Sequence, residues 1–297
     1  MKIVKPSVEF FGEVPTDYEN TLRFIEKCGR LCYKSEDKIT PESAEPFVKR
    51  LIKSGHLAMV EHSNFVVRLR GNIWSSLEQF LSIQGELGKY LNVHLANGTL
   101  CVGGSITAWM QRYDGYADDE QPMDDGLFTP LFEVYGGLLG GNDKINTDWQ
   151  VCPHNEIPAA LHRYSAKFIC DRGVSHELVR HRPCSFAQES TRYVNYGGKD
   201  MEFIEPWWWD DTGQFPRDCF VQGCIESEEN YKSLLRYGMT PQSARAILPN
   251  ALKTEIVVTA DAAEWVHIKK LRTHPSAHPD MVRLMNMMPW EGLWTKI

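Results

Sequence analysis

The sequence predicts an α+β fold in which mixed helices surround a sheet rich in antiparallel strands. Short β-rich segments and helical-period segments are intermixed along the chain, without the regular strand–helix alternation of a parallel α/β protein. The 297 residues are 42% hydrophobic and 24% charged, values typical of a globular protein rather than a disordered or fibrous one. No internal repeat is visible. We therefore expect a single domain over residues 1–297, with an insertion at about 113–152.

In the first third of the chain, apolar residues at helical spacing predict helices over Thr21–Ser35, Pro46–Ile52 and Ile73–Leu81. Alternating apolar residues over Phe65–Arg70 predict a strand between the last two. The segment from about Tyr113 to Cys152 then changes character, because a cluster of aspartates is followed by several glycines. We interpret it as an acidic surface insertion that is partly loop.

The second half of the chain has clearer boundary signals. Thr240 followed by proline predicts a helix N-terminus, and Asp261 followed by Glu264 fits a capping-box pattern. Pro183 is expected to end a helix, with its polar successors in a loop. The predicted strands are Ala166–Cys170 and Glu255–Thr259, and the predicted helices are Val174–Arg182, Glu226–Tyr237, Pro241–Leu248, Ala262–Arg272 and Pro279–Met288.

Charge and cysteine content restrict the class of protein. The net charge of −7 argues against a general nucleic-acid-binding surface, so a polyanion would need a local basic site. No signal-peptide pattern and no apolar run of membrane-spanning length are present, so no membrane partner is expected. The eight cysteines form no C-x-x-C pair, which favours reduced, buried thiols in a cytoplasmic protein.

The main candidate site is the polar segment from His176 to Tyr193, which contains Arg180, Arg182 and Arg192. Guanidinium groups are planar, fixed and always charged, so a cluster of them suits phosphate recognition. From residue types alone, a solvated Arg-rich helix end, stabilised by the helix dipole, is an equally good interpretation.

Two further arginines, Arg245 and Arg272, lie in predicted helices downstream. Ala244 and Ile247 flank Arg245, so we expect it to be more buried than a typical helical arginine. Upstream, His56 and His62 lack the H-E-x-x-H spacing of a zinc site, and no metal is expected.

The segment Arg180-His181-Arg182, followed after seven residues by Ser190, resembles the signature of the flavin-dependent thymidylate synthases. Four other sequence blocks also resemble segments of that family and occur in the same order. They are Gly29–Tyr33, Gly55–His62, Ala244–Pro249 and Leu271–Arg272. The resemblance covers most of the chain except the acidic insertion.

The resemblance implies reductive methylation of the dUMP uracil at C5. Methylenetetrahydrofolate would supply the carbon, FAD the hydride, and NADPH would reduce the flavin. It also implies a homotetramer with shared active sites. Arg272 would stabilise negative charge on the uracil. Ser190, the other catalytic candidate, has no base assigned by spacing, which favours a hydrogen-bonding role over a nucleophilic one.

Residue by residue, the resemblance assigns two overlapping sets of contacts. The dUMP set is Glu177, Arg180, Gln188, Glu189, Ser190, Thr191, Arg192, Arg245 and Arg272. The FAD set is Glu61, Arg180, His181, Arg182, Gln188, Asp261 and His267.

The chain departs from the family pattern at Ala58, Asp261 and Ala263, where many members carry a small hydroxyl residue, an asparagine and an arginine. Lys269 and Lys270 are nearby cations able to compensate for the missing arginine. Gln188 replaces a glutamate of some members, and its amide can donate as well as accept.

Two other functions stay open at this point. One is a nucleic-acid-binding regulator that uses the Arg180–Arg192 patch and the aromatic run Trp207–Trp209. The other is a relic that binds the nucleotide but has lost flavin turnover through Ala58 and Ala263.

Overall fold

A computed structural model of the chain describes residues 1–69, 91–96, 99–117, 129–139 and 149–291. The strands in these ranges are β1 (Lys2–Val4), β2 (Ser7–Glu13), β3 (Phe65–Leu69), β4 (Asn92–Ala96), β5 (Thr99–Gly104), β6 (Trp149–Val151), β7 (Arg163–Asp171), β8 (Ser185–Gln188), β9 (Glu202–Ile204) and β10 (Lys253–Asp261). The helices are α1 (Tyr18–Tyr33), α2 (Ala44–Lys53), α3 (Ile106–Ala117), α4 (Thr129–Leu139), α5 (Arg172–Leu178), α6 (Gln214–Arg236), α7 (Pro241–Ala244), α8 (Ala262–Arg272) and α9 (Pro279–Met285). The predicted α+β class is confirmed.

The first of the two larger sheets has the strand order β2-β7-β10-β8, and all its neighbours are antiparallel. Alternate residues of β7, such as Ala166 and Phe168, are fully buried against α8 and α9. Trp265 of α8 anchors this layer, because its indole N–H donates to the carbonyl of Tyr164 over 3.0 Å. The end of α1 covers the opposite face of the sheet. This arrangement places the N-terminus of α8 directly at the end of β10.

The second larger sheet has the order β4-β5-β3-β6, again antiparallel, and packs with α1, α2, α3 and α4 around one core. Trp109 lies at the centre of that core, and its indole N–H donates to the carbonyl of Phe65 over 3.0 Å. A third, two-stranded sheet pairs β1 with β9 in parallel and packs beside α6 and α7.

We expected a surface insertion at 113–152. That expectation is wrong for α4 and β6, the two elements that lie wholly within this segment in the described residues. Leu131 and Tyr135 of α4 are completely buried in the second core. Strand β6 pairs with β3, which makes it part of the second sheet. The acidic residues 118–125 and the predicted helix at Ile73–Leu81 lie outside the described residues.

Several predicted boundaries need correction. Helix α5 ends at Leu178 instead of continuing to Arg182, and the polar run after Pro183 forms strand β8 rather than a loop. Helix α6 begins at Gln214, well before the predicted Glu226, because Pro216 lies in the first turn, where a backbone N–H is not needed. Helix α7 is a single turn, followed by a 3-10 turn at Arg245–Ile247.

All eight cysteines are free thiols, and seven of them are buried, as predicted; Cys219 is the exposed exception. Among the helices of the described ranges, none combines the length and the apolar composition needed to cross a bilayer.

Candidate active site

Both larger sheets contribute to one cavity of about 740 Å³, which is within the size range of small-molecule sites. Its walls come from the end of β5, the starts of β7 and β8, and the N-termini of α3 and α8. The lining residues are Glu61, Asn64, Asn92, Gly103, Gly104, Ser105, Thr107, Ala108, Gln111, Leu161, Arg163, Arg182, Pro183, Cys184, Ser185, Asp261, Ala263 and Glu264.

Three of the predicted flavin contacts, Glu61, Arg182 and Asp261, line this cavity together. Two others do not. The Arg180 side chain is exposed beyond the end of α5, and the Gln188 amide donates to Ser175 and Thr254 hydroxyls over 2.9 and 3.2 Å. In the single chain, only part of the predicted set of FAD contacts therefore lies at the cavity.

Asp261 holds the N-terminus of α8 at the cavity. One carboxylate oxygen accepts from the Glu264 backbone N–H over 2.8 Å, which confirms the predicted N-cap, and the other accepts from the Asn92 amide over 3.3 Å. A helix N-terminus carries partial positive charge and free N–H groups, so it favours an anionic ligand. Ala263, which lies on this turn, contributes no side-chain charge to the cavity.

Arg163 is the main cavity residue that the sequence analysis missed. One of its guanidinium nitrogens donates to the carbonyls of Glu61 and Ser63, both over 2.6 Å, and the other donates to the Ser185 hydroxyl over 2.9 Å. Burial raises the pKa of Glu61, while the positive charge of Arg163 opposes that rise. Within the described ranges, Arg163 and Arg182, rather than Lys269 and Lys270, are the cations that line the cavity.

Arg272, Glu177, His181 and Glu264 form a chain of hydrogen bonds that ends at the cavity wall. The Arg272 guanidinium donates to the carboxylate of Glu177 over 2.7 Å and to its carbonyl over 2.9 Å. Its Nε donates to Nε2 of His181 over 2.9 Å, and Nδ1 of His181 contacts the Glu264 carboxylate over 2.9 Å. Arg272 and Glu264 thus both bond to one imidazole ring, and Glu177 holds the arginine from its other side.

These bonds define the protonation state of His181. Arginine can only donate, so Nε2 of His181 accepts, and the proton lies on Nδ1, facing Glu264. Burial and the charge of Arg272 lower the pKa of His181, which also favours the neutral ring. The ring of His267 stacks edge-on at 5.8 Å between centroids. Arg272 therefore donates to a neutral histidine.

Arg192 and Arg245 form a second group. Arg192 donates to the side-chain oxygen of Gln242 over 3.1 Å, and Arg245 reaches the hydroxyl of Thr191 over 3.5 Å. The expectation that Arg245 is more buried than a typical helical arginine is wrong, because its side chain is exposed and only its neighbour Ala244 is buried. Both guanidinium groups are accessible to a ligand.

Glu189 and Ser190 lie between β8 and this second group. Glu189 is buried, and its carboxylate accepts from the Tyr196 hydroxyl over 2.7 Å. Burial raises the pKa of Glu189, and the ammonium of Lys34 opposes the rise. The Ser190 N–H donates to the carbonyl of Cys32 over 3.0 Å, so the end of α1 positions this turn.

His62 is fully buried, whereas His56 is exposed, so the two do not form a common site. Nδ1 of His62 contacts the Thr259 hydroxyl over 2.7 Å. Burial and the nearby charge of Arg163 lower the pKa of His62 to about 3. The folded protein therefore holds this histidine neutral at a pH where the unfolded chain would protonate it.

This difference predicts a pH-dependent stability. As the pH falls from about 6.5 towards 3, His62 binds a proton in the unfolded chain but stays neutral in the folded protein. The free energy of unfolding therefore decreases by about 1 kcal/mol per pH unit over this range. In His62→Gln this contribution is absent. Urea denaturation across this pH range measures the slopes, with His56→Gln as the exposed control. Equal slopes in wild type and His62→Gln would contradict the assignment.

A family model and several curated relatives that match this chain point to the same family. Residues 156–291 match the family model described as thymidylate synthase complementing protein. The flavin-dependent thymidylate synthase of Geobacter sulfurreducens is 37% identical over 101 residues, which cover 34% of this chain and 43% of the relative. Over this region, the chain resembles the flavin-dependent thymidylate synthases.

Another member of the family, from Corynebacterium efficiens, is 35% identical over 143 residues, or 41% of this chain and 54% of that relative. The chain thus spans about half the length of the curated relatives it matches. A solved structure of the UMP/dUMP methylase PolB from Streptomyces cacaoi aligns over 100% of this chain and 93% of its own, with 14% identity and a TM-score of 0.42.

Proposed function

We propose that this protein is a methyltransferase that converts dUMP to dTMP as a flavin-dependent thymidylate synthase. Methylenetetrahydrofolate supplies the carbon, and NADPH reduces the FAD. The observation that carries the proposal is the hydrogen-bond chain from Arg272 through His181 to Glu264, which connects a fixed guanidinium to the wall of a cofactor-sized cavity without placing it on that wall.

The cavity fits a flavin dinucleotide in three respects. The N-terminus of α8, Arg163 and Arg182 provide positive charge for a pyrophosphate. Asn64 provides a buried side-chain oxygen without a hydrogen-bond partner. Gly104, at the end of β5, leaves part of the wall without a side chain. When bound, FAD supplies the hydride chemistry of the reaction.

Arg192 and Arg245 are suited to the phosphate of dUMP, because two accessible guanidinium groups can form charge-assisted hydrogen bonds with one phosphate. Arg272 is suited to the pyrimidine, where a cation stabilises negative charge that develops during methylation. Ser190 has a hydrogen-bonding role in the proposal. We further propose a cytoplasmic homotetramer, in which the Arg192 group of one subunit completes the site of another.

Glu264 and Glu177 do not touch substrate in this proposal; they position other groups. Glu264 accepts the Nδ1 proton of His181, which leaves Nε2 free to accept from Arg272. Glu177 holds the opposite side of the same guanidinium. The guanidinium is thus oriented before substrate binds, and no reorganisation is needed when charge develops.

The aromatic run gives little support to a nucleic-acid regulator. Trp208 and Trp209 each pack edge-on against Phe220, with ring centroids 5.9 Å apart, and Trp207 is the more exposed member of the run. Rings committed to packing do not form a platform for stacked bases.

The test is an assay of the purified protein reconstituted with FAD. We expect a yellow protein that oxidises NADPH only with dUMP present and forms dTMP when methylenetetrahydrofolate is added. Deoxyuridine, which lacks the phosphate, is the matched control and should not support oxidation. Tight dUMP binding without turnover would instead support the relic, and RNA or DNA affinity that falls steeply with salt would support the regulator.

A further inference from the structure

Glu13, His154 and His162 converge at a point outside the candidate active site. Glu13 ends β2, His154 begins a 3-10 turn after β6, and His162 directly precedes β7. One carboxylate oxygen of Glu13 lies 3.3 Å from Nε2 of His154 and 3.4 Å from Nδ1 of His162. The three atoms all lie within 4.8 Å of one another.

These separations match a tetrahedral metal site. With zinc–nitrogen and zinc–oxygen bonds of about 2.0–2.2 Å, neighbouring ligand atoms of a tetrahedron are about 3.3–3.5 Å apart. The two measured distances to Glu13 are of this size. An ion would therefore enter with little rearrangement of the three side chains.

The nitrogen of each ring that faces away from Glu13 already has a partner. Nε2 of His162 lies 3.1 Å from the carbonyl of Ile157, and Nδ1 of His154 lies 3.2 Å from the hydroxyl of Thr16. Such outer hydrogen bonds orient metal-binding histidines and fix their tautomers.

The Ile157 contact has a further consequence. A carbonyl only accepts, so the proton of neutral His162 lies on Nε2, and the lone pair of Nδ1 points towards the Glu13 carboxylate. Nδ1 of His162 is therefore oriented to coordinate an ion together with the Glu13 carboxylate.

We propose that Glu13, His154 and His162 bind one Zn²⁺ ion per chain, with solvent completing the coordination. Two imidazoles and one carboxylate suit zinc better than magnesium or calcium, which prefer oxygen ligands alone. The His154 side chain is 55% exposed, so solvent can reach the open coordination position. The ion would tie the end of β2 to the connection that precedes β7.

This site is separate from the cavity but adjacent to one of its supports. Arg163, the residue after His162, holds the Glu61 and Ser63 carbonyls on the cavity wall. A second group of potential ligands, His181, Glu264 and His267, belongs to the candidate active site. The experiment must therefore distinguish the two groups.

The test is competition for Zn²⁺ between the full-length, chelator-treated protein and a chromophoric chelator, with bound metal counted by mass spectrometry. We expect one Zn²⁺ per wild-type chain and a loss of affinity of at least about 100-fold in Glu13→Gln and in His154→Ala. Thr16→Val, which removes only the outer partner of His154, should lose about 10- to 100-fold. His274→Ala, at an exposed histidine bonded to a nearby serine, should retain wild-type affinity.

The same proteins also give an independent readout in thermal unfolding. Zn²⁺ should raise the melting temperature of wild type and of His274→Ala but not that of His154→Ala, because a ligand that binds only the folded state stabilises it. Absence of saturable Zn²⁺ binding in the wild type would overturn the proposal. So would binding that survives Glu13→Gln and His154→Ala but is lost in His267→Ala.

Discussion

Arg272→Ala is expected to lower the rate of dTMP formation by about 100- to 1,000-fold, the usual effect of removing a donor aimed at developing charge. The structure holds this guanidinium between Glu177 and His181, so its position is fixed before substrate arrives. Single-turnover kinetics with the reconstituted enzyme measures the change. The flavin absorption spectrum should persist, because Arg272 does not line the cavity.

Arg283 provides a close structural control for this variant. It donates to the carbonyl of Glu205 over 3.1 Å and to the Glu205 carboxylate over 2.8 Å, the same pattern that Arg272 forms with Glu177. Arg283→Ala should therefore lose stability without a comparable loss of turnover. Arg272→Lys keeps the charge but lacks the planar fork, so an intermediate rate is expected. Wild-type turnover by Arg272→Ala would remove this residue from the chemistry.

Arg163→Met is expected to have the largest effect on stability, a loss of about 3–5 kcal/mol in the free energy of unfolding. The substitution leaves the carbonyls of Glu61 and Ser63 without their donor and removes the charge that faces Glu61. Urea denaturation measures the loss, and FAD affinity should fall with it because the cavity wall loosens.

Arg23→Met is the control for this second prediction. Arg23 lies on the exposed side of α1 and pairs with Glu19, four residues away. Exposed pairs of this kind contribute little, so the change should stay within about 0.5 kcal/mol. A loss of less than 1 kcal/mol in Arg163→Met would show that the hydrogen bonds of Arg163 do not hold the cavity wall together.

Local features of the fold were predictable from the sequence because their causes are local. The Thr240 and Asp261 caps each involve a backbone N–H three residues further on, and both are confirmed. Strand β8 was missed because its pairing partner is β10, far along the chain, and its four residues follow a proline in polar sequence. The residues of β8 themselves do not indicate that an edge of β10 is available for pairing.

The site divides in a similar way. The resemblance assigned Glu61, Arg182 and Asp261 to one ligand, and the three residues line one cavity in the structure. Arg163 was not predicted, because no motif surrounds it and its partners are backbone carbonyls, which the sequence does not distinguish. The buried environment expected for Arg245 was wrong because adjacent helical residues point in different directions, so a buried Ala244 does not bury its neighbour.

The hydrogen bond from Ser190 to the end of α1 means that the family-matching region 156–291 is not self-sufficient. Lys34, just beyond that helix, also lies 2.5 Å from the carboxylate of Glu255 and 3.8 Å from that of Glu189. A fragment cut to the matching region would retain every arginine of the signature. It would nevertheless release the Ser190 turn and leave these two acidic groups without the ammonium of Lys34.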